Sequence, residues 1–406
     1  MAYKKIKILY ILHSASVGGA PLSCLSLLKK MDREIYDPVA LFLKDSRMVE
    51  IYRDANIHTI VDKSLSYFSH TTGERLYIGN PRAVKQLTGF LPSIVRTREI
   101  VSRIKPDIVH CNSSTLSAQV IGAKWAGAKV VWHIREHVVR GLSGIRQNFH
   151  YWVGNHYADA LIFILEKEAR RFACGTKGHL IPNFVDFDVF DRTLRERMNK
   201  KKNRRPTVIF LGAATPIKGA LEFVLSYQLV CRAIGPVKFI LAGADGGPSL
   251  PGMLSRIKQG ALNALGRQTY SQKIRSVVSR DKQEGIIFLG KIEDVPSLLA
   301  ASDLLVFPAT APHFARPVIE AAAMGLPVVA SDLEGPRDLI KDRETGILVP
   351  PSDYRALAGA IIEVLADPDL ARRLGEGAYL MALRNFDANV NSRKVFDIYR
   401  RLAREI

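Results

Sequence analysis

Three side chains of types that do chemistry stand just after short apolar runs. His133 closes the run in VVWHIRE with Arg135, Glu136 and His137 beside it, Lys218 ends GAATPIK (212–218) ahead of Gly219, and Glu320 sits among small residues in PHFARPVIEAAAMGLPVVAS (312–331). A histidine so placed can move a proton or hold a hydroxyl, and it can equally be a satisfied structural residue. A lysine at the start of a helix opposes the local dipole, a cost relieved by an anion that bridges the ammonium and the helix N–H groups. A solvated lysine is the plain alternative. Glu320 can accept two hydrogen bonds from the vicinal hydroxyls of a ribose, or simply complement a helix N-terminus. Gly18 and Gly19, in SASVGGA (14–20), let a backbone approach a bulky anion, and a tight turn would explain them as well. Neither glycine stretch completes GxGxxG or ends in GK[ST], so neither a dinucleotide site nor a P-loop is specified.

Each of these motifs follows a run that reads as a buried strand. KIKILYIL, DPVALFL, HTIVD, PDIVHCN, AKVVWHI and ALIFIL occupy the first half, and PTVIFLGAA, VKFILAGA, GIIFLG, DLLVFPA, PVVAS and GILVP the second. Amphipathic stretches such as PLSCLSLLKKM and LSAQVIGAKWAG separate them. Continuous apolar strands alternating with helices predict parallel sheets covered on both faces, one sheet in each half. Open parallel sheets bind ligands beyond the carboxyl ends of their strands, where all four motifs fall, and two facing sheets would make a cleft. The pattern divides the chain into a domain over 1–196, a basic linker over 197–206 (RMNKKKNRRP) and a domain over 207–385. A helix over about 386–406 returns to the first domain. Residues 63–90 and 243–284 break the rhythm.

A length of 406 residues suits two domains. A chain 47% hydrophobic and 24% charged is ordinary globular composition, which excludes wholesale disorder. The four cysteines, Cys24, Cys111, Cys174 and Cys231, show neither metal-ligand spacing nor a disulfide framework. The formal net charge of +19, heavier in the N-terminal half, suits a phosphorylated substrate or an anionic membrane face. Nucleic acid is not expected as a partner, because no helix-turn-helix, zinc-finger or RNA-binding aromatic signature accompanies the charge. The apolar run Ile8 to Leu12 is too short for a signal segment or a bilayer span and reads as a first strand. A cytoplasmic protein is therefore expected. The basic helix LPSIVRTREIVSRIKPD (91–107) either lies on the inner face of the membrane or presents a solvated face.

The ordered set of GGA after the first strand, DIVH (107–110), His133, IPNFVD (181–186), the KG of 218–219, FLG (288–290), SLLAASDLLVFPA (297–309) and the block 317–353 resembles the family 4 retaining glycosyltransferases of the GT-B fold. The resemblance covers nearly the whole chain. It implies two facing Rossmann-like domains, an α/β architecture with an interdomain cleft, and transfer of a sugar from a nucleotide-diphosphate sugar to an acceptor hydroxyl with retention of configuration. No cofactor or metal is implied, and the acceptor would be a glycan or lipid-linked glycan of a bacterial cell surface. By resemblance, Gly18 and Gly19 approach the distal phosphate, Lys218 neutralises the diphosphate, Glu320 holds the ribose and His133 lies beside the donor sugar. Phe314, Ala315 and Arg316 offer backbone contacts, and Lys291 lies near the base.

The sequence departs from the family at three places. Pro312 stands where the family has the first of two glutamates, Ala213 where it has an arginine, and Phe184 where it has a glycine after Asn183. His313 and Arg316 are polar replacements nearby, and Arg316 could supply the charge missing at Ala213. A second reading keeps the fold without the turnover: a catalytically silent module that binds nucleotide sugar or glycan as a partner subunit.

Overall fold

The computed structural model describes all residues except 1–3, 14–17, 69–80, 137, 139, 173, 199–203, 244–267, 282, 291, 313 and 406. The chain forms two compact units, residues 1–184 with 386–406, and residues 185–385.

The first unit holds a seven-stranded parallel sheet of β1 (Ile6–Leu12), β2 (Tyr36–Phe42), β3 (His58–Val61), β4 (Ile108–Cys111), β5 (Lys129–Ile134), β6 (Ala160–Phe163) and β7 (Gly178–Leu180), in the order β3-β2-β1-β4-β5-β6-β7. Both faces are buried, as a parallel sheet requires. Ile8, Tyr10 and Leu12 point into one apolar cluster, while Leu9 and Ile11 join Val109 and Trp132 in another. The helix Ala388–Ala403 closes the first of these faces with Val395, Phe396, Tyr399 and Leu402. Its cap, Asp387, accepts from the N–H groups of Asn389 and Val390 at 2.6 and 3.0 Å. β7 went unread in the sequence because it is three residues long, with His179 at its centre.

The second unit repeats the plan with β8 (Thr207–Leu211), β9 (Lys238–Ala242), β10 (Ile286–Gly290), β11 (Leu304–Phe307), β12 (Val328–Ser331) and β13 (Ile347–Val349), all parallel, in the order β10-β9-β8-β11-β12-β13. Phe223 and Val224 of the helix Ala220–Ile234 and Leu357 and Ile361 of the helix Tyr354–Ala366 pack on Val208, Phe210 and Phe239. A fully buried side chain of this size contributes about 2 kcal/mol.

The division at 184/185 precedes the basic run 197–206. Residues 187–198 are fastened to the helix Pro368–Asn385: Arg192 pairs with Glu376 at 2.7 Å and lies over the ring of Tyr379, which also meets Phe187. In each sheet the strand order reverses next to the first strand, between β1 and β4 and between β8 and β11. These are the crevices where open α/β sheets take ligands.

Candidate functional site

In the second unit, the loop after β8 and the loop after β11 meet at their switch point. Thr310 donates its N–H to Ile217 O at 2.9 Å and its hydroxyl to Pro216 O at 2.8 Å. The turn Pro216–Lys218 then leads through Gly219 into the helix Ala220–Ile234. Gly219 has φ +74°, and a Cβ there would stand 1.7 Å from Pro308 O, so only glycine fits. This close approach puts Lys218 over the Phe307 ring, with Nζ 5.3 Å from its centroid. Lys218 is half-buried and pairs with no carboxylate among the described residues. Burial alone lowers its pKa to about 8. An ammonium held in that state at a helix N-terminus is poised for an anion.

On the other side of the same loop, the helix Arg316–Ala323 starts with no side-chain cap at Ala315. Phe314 is half-buried and Ala315 fully buried. The expectation that Glu320 stands at the helix start needs correction: it is the fifth residue, one turn in. There its Oε1 accepts from Arg316 Nε at 2.6 Å, with the two side chains only 12% and 16% exposed. Oε2 meets no donor among the described residues. Arg316 is thus first a partner of Glu320, so any service to a ligand in place of Ala213 is shared with that bond. Lys291 and His313 lie outside the described residues.

In the first unit, Gly18 caps the helix Gly19–Lys29 in extended conformation, again with no side-chain cap bond. The polar loop after β4, Asn112-Ser113-Ser114-Thr115, organises the rest. Asn112 Nδ2 donates to Ala20 O at 3.1 Å, in the first turn of that helix, and its Oδ1 accepts from Arg135 Nε at 2.6 Å. Arg135 Nη1 donates to Asn183 Oδ1 at 2.6 Å. Glu136 accepts from the Ser113 hydroxyl and from the N–H and hydroxyl of Ser114. Arg135 and Glu136, beside His133, are therefore partners of a structured loop, while His137 lies outside the described residues. The run NSST after a strand was the signal available for it in the sequence.

His133, in β5, is 2% exposed. Its Nδ1 lies 3.3 Å from His110 Nε2, and His110 Nδ1 lies 2.7 Å from the hydroxyl of Tyr399, which accepts from Tyr10 at 3.0 Å. Burial first, and the Arg135 charge second, hold both histidines well below the ordinary imidazole range, so both are neutral at pH 7. Because Tyr399 accepts from Tyr10, its own hydrogen goes to His110 Nδ1. His110 then carries its proton on Nε2, donates to His133 Nδ1, and leaves His133 with its proton on Nε2. The reverse assignment would bury the Tyr399 hydrogen with no acceptor. Nε2 of His133 is buried with no partner among the described residues.

Three comparisons bear on this arrangement. The family described as Glycosyltransferase Family 4 matches residues 17–189, and that described as Glycosyl transferases group 1 matches residues 191–381. The chain belongs to the family 4 glycosyltransferases, and its fold is GT-B. Among curated relatives, an alpha-D-kanosaminyltransferase of Streptomyces kanamyceticus is 27% identical over 54% of this chain and 52% of that protein. A phosphatidyl-myo-inositol mannosyltransferase of Mycobacterium leprae (strain TN) is 33% identical over 38% of this chain and 41% of its own. The chain spans about half the length of the curated relatives it matches. Among solved structures, Anabaena Alr3699/HepE in complex with UDP superposes with a TM-score of 0.75 at 19% identity, covering 97% of this chain and 99% of that one. A glycosyltransferase from Rickettsia africae ESF-5 gives 0.72 at 21% identity over 98% and 99%. Among the described residues no helix is long and apolar enough to cross a membrane.

Proposed function

We propose that this protein transfers a hexosyl group from a nucleotide-diphosphate sugar to an acceptor hydroxyl with retention of configuration, in assembly of a bacterial surface glycan or glycolipid. One observation carries the reading: Lys218, half-buried, without a carboxylate partner among the described residues and at a helix start on the β8/β11 switch point. The C1–O bond to the distal phosphate breaks with its electron pair left on the diphosphate, the acceptor oxygen bonds to C1, and the acceptor proton passes to a phosphate oxygen. Charge grows on the diphosphate as the bond breaks, and a preorganised ammonium with helix N–H groups stabilises it, typically by about 3 kcal/mol per such donor. Lys218 takes that role without a metal, and in the same unit the N–H groups at Ala315–Arg316 offer further anion contacts. His133 carries its proton on the buried Nε2, so a sugar hydroxyl admitted to that nitrogen would meet a hydrogen-bond donor. Glu320 offers Oε2 to the ribose while Arg316 holds Oε1. UDP and UDP-glucose bound to the superposable Anabaena protein support this donor class.

The acceptor fits a cavity of about 640 Å³ beyond the carboxyl ends of β2 and β3, lined by Lys44, Lys63, Tyr67 and Lys85. Its lysines suit an acceptor that carries phosphate, as a lipid-linked glycan does. Next to it, Val84, Leu87, Leu91 and Val95 expose more than half of their surface, with Arg98, Arg103 and Lys105 on the same helical stretch. That surface suits a peripheral position on an anionic membrane from the cytoplasmic side.

The test is turnover of a panel of nucleotide sugars with acceptor glycolipids, the anomeric configuration of the product being read by NMR. Inversion would refute the mechanism. Pro312, in place of an acid, favours the silent-module reading enough to state its outcome: tight nucleotide binding with neither transfer nor hydrolysis.

A further inference from the structure

At the amino end of the second sheet, before β8 and β11, lies a cavity of about 440 Å³ that the transfer reaction does not use. Arg192, Arg195, Arg204 and Arg372 line it, with Asp303 and Glu376 as the acids among its lining residues. Both acids are committed. Asp303 takes two hydrogen bonds from Arg204, at 2.7 and 2.8 Å, and the Thr207 N–H at 2.7 Å. Glu376 pairs with Arg192 at 2.7 Å. Arg372 pairs with Asp369 on its own helix at 3.2 Å.

Arg195 is left over. It makes no hydrogen bond or ion pair with any described residue, and its Nε is buried without a partner. The charges around it are Arg192 and Arg204, which repel it, and Asp303 and Glu196, which attract it from beyond ion-pair distance. Burial holds its guanidinium below the usual arginine range. A guanidinium buried against two others, facing a cavity, is unfavourable without an anion. Val364, Pro368 and Ala371 supply apolar lining. Planar forks of donors converging on one space match the oxygens of a phosphate group.

We propose that this cavity is a second anion site, distinct from the donor site, that binds a phosphate monoester or diester through Arg195 with Arg192 and Arg204. The phosphate belongs either to a small soluble metabolite or to a lipid headgroup, and the same forks recognise both.

The test uses the full chain and Arg195→Gln, which keeps the length of the side chain and removes its charge. In phosphate-free buffer the variant melts at the same temperature as the wild type or higher, because a repulsive charge has gone. Inorganic phosphate, compared with chloride at matched ionic strength, raises the melting temperature of Lys218→Met, which lacks the donor-site cation, and leaves the double variant Lys218→Met/Arg195→Gln unmoved. Flotation with phosphatidylglycerol and phosphatidylcholine vesicles separates the sources. Retention on the anionic vesicles that Arg195→Gln loses assigns a headgroup, and a phosphate response without retention assigns a soluble ligand. Two results overturn the proposal: a phosphate response equal in Lys218→Met and Lys218→Met/Arg195→Gln, or an Arg195→Gln variant that melts lower in phosphate-free buffer, which would make Arg195 a structural partner of Asp303.

Discussion

Arg316 and Glu320 form a one-turn ion pair, Nε to Oε1 at 2.6 Å, on the helix that follows the loop after β11. Both side chains are largely buried, so the pair contributes to stability, and under the proposed function it serves the ligand as well. Arg316→Ala leaves Glu320 without its partner and is expected to cost about 3 kcal/mol, read from urea unfolding. The double variant Arg316→Met/Glu320→Met recovers most of that stability, because the two effects are coupled. Nucleoside-diphosphate affinity recovers in neither, since both lack the guanidinium and the double variant also lacks the Oε2 acceptor. Recovery of affinity in the double variant would show that the pair is structural only.

Lys218 gives a stability effect with an unusual sign. Its folded pKa of about 8 lies below the 10.5 of an ordinary lysine. The unfolded chain therefore binds more protons between those values, and stability rises with pH across that window. Below pH 8 the full penalty of burying the charge is present, roughly 1–3 kcal/mol for a half-buried group. Lys218→Met should accordingly raise the melting temperature of the unliganded protein at pH 7. A lower melting temperature would mean that Lys218 has a stabilising partner.

The tyrosine–histidine chain sets which nitrogen of His133 carries the proton. Long-range proton–nitrogen NMR of the ring nitrogens should find Nε2 protonated and Nδ1 bare from pH 6 to 8, with no titration of the ring. Tyr399→Phe removes the hydrogen donated to His110 and should produce a mixture of His133 tautomers. A stability loss of about 1–3 kcal/mol is expected beside it, from the buried His110 nitrogen left without its donor. An unchanged spectrum in the variant would show that Tyr399 packs without directing the proton.

Gly219→Ala asks whether the loop geometry matters. An added methyl would fall 1.7 Å from Pro308 O, at a φ that alanine adopts at a cost of about 1–2 kcal/mol. The two loops must separate, so the variant should lose nucleotide binding even where it folds, as read by calorimetry and circular dichroism together.

The sheets were legible in the sequence because parallel strands buried on both faces read as unbroken apolar runs, as KIKILYIL and DLLVFPA do. The order of the switch-point loops followed, and with it the placement of Gly18, Gly19 and Lys218. Long-range polar partners were not legible. Tyr399 meets His110 across 289 positions, and nothing in VNSRKVFDIYRRLAREI singles that tyrosine out from an apolar helix face. Arg135 reads as a loop cation, yet it is buried between the amides of Asn112 and Asn183. Arg316 and Glu320 stand at the four-residue spacing of a helical ion pair, a local signal that the reading of Glu320 as a helix-start residue obscured.

The central claim is that Lys218 holds a nucleoside diphosphate at the β8/β11 switch point. Titration calorimetry of UDP, GDP and ADP at pH 7 tests it on wild type and Lys218→Met. At least one diphosphate should bind the wild type, the variant should bind it at least tenfold more weakly, and wild-type affinity should fall as pH rises through about 8. Equal affinity in the two proteins, with no dependence on pH in that range, would contradict it.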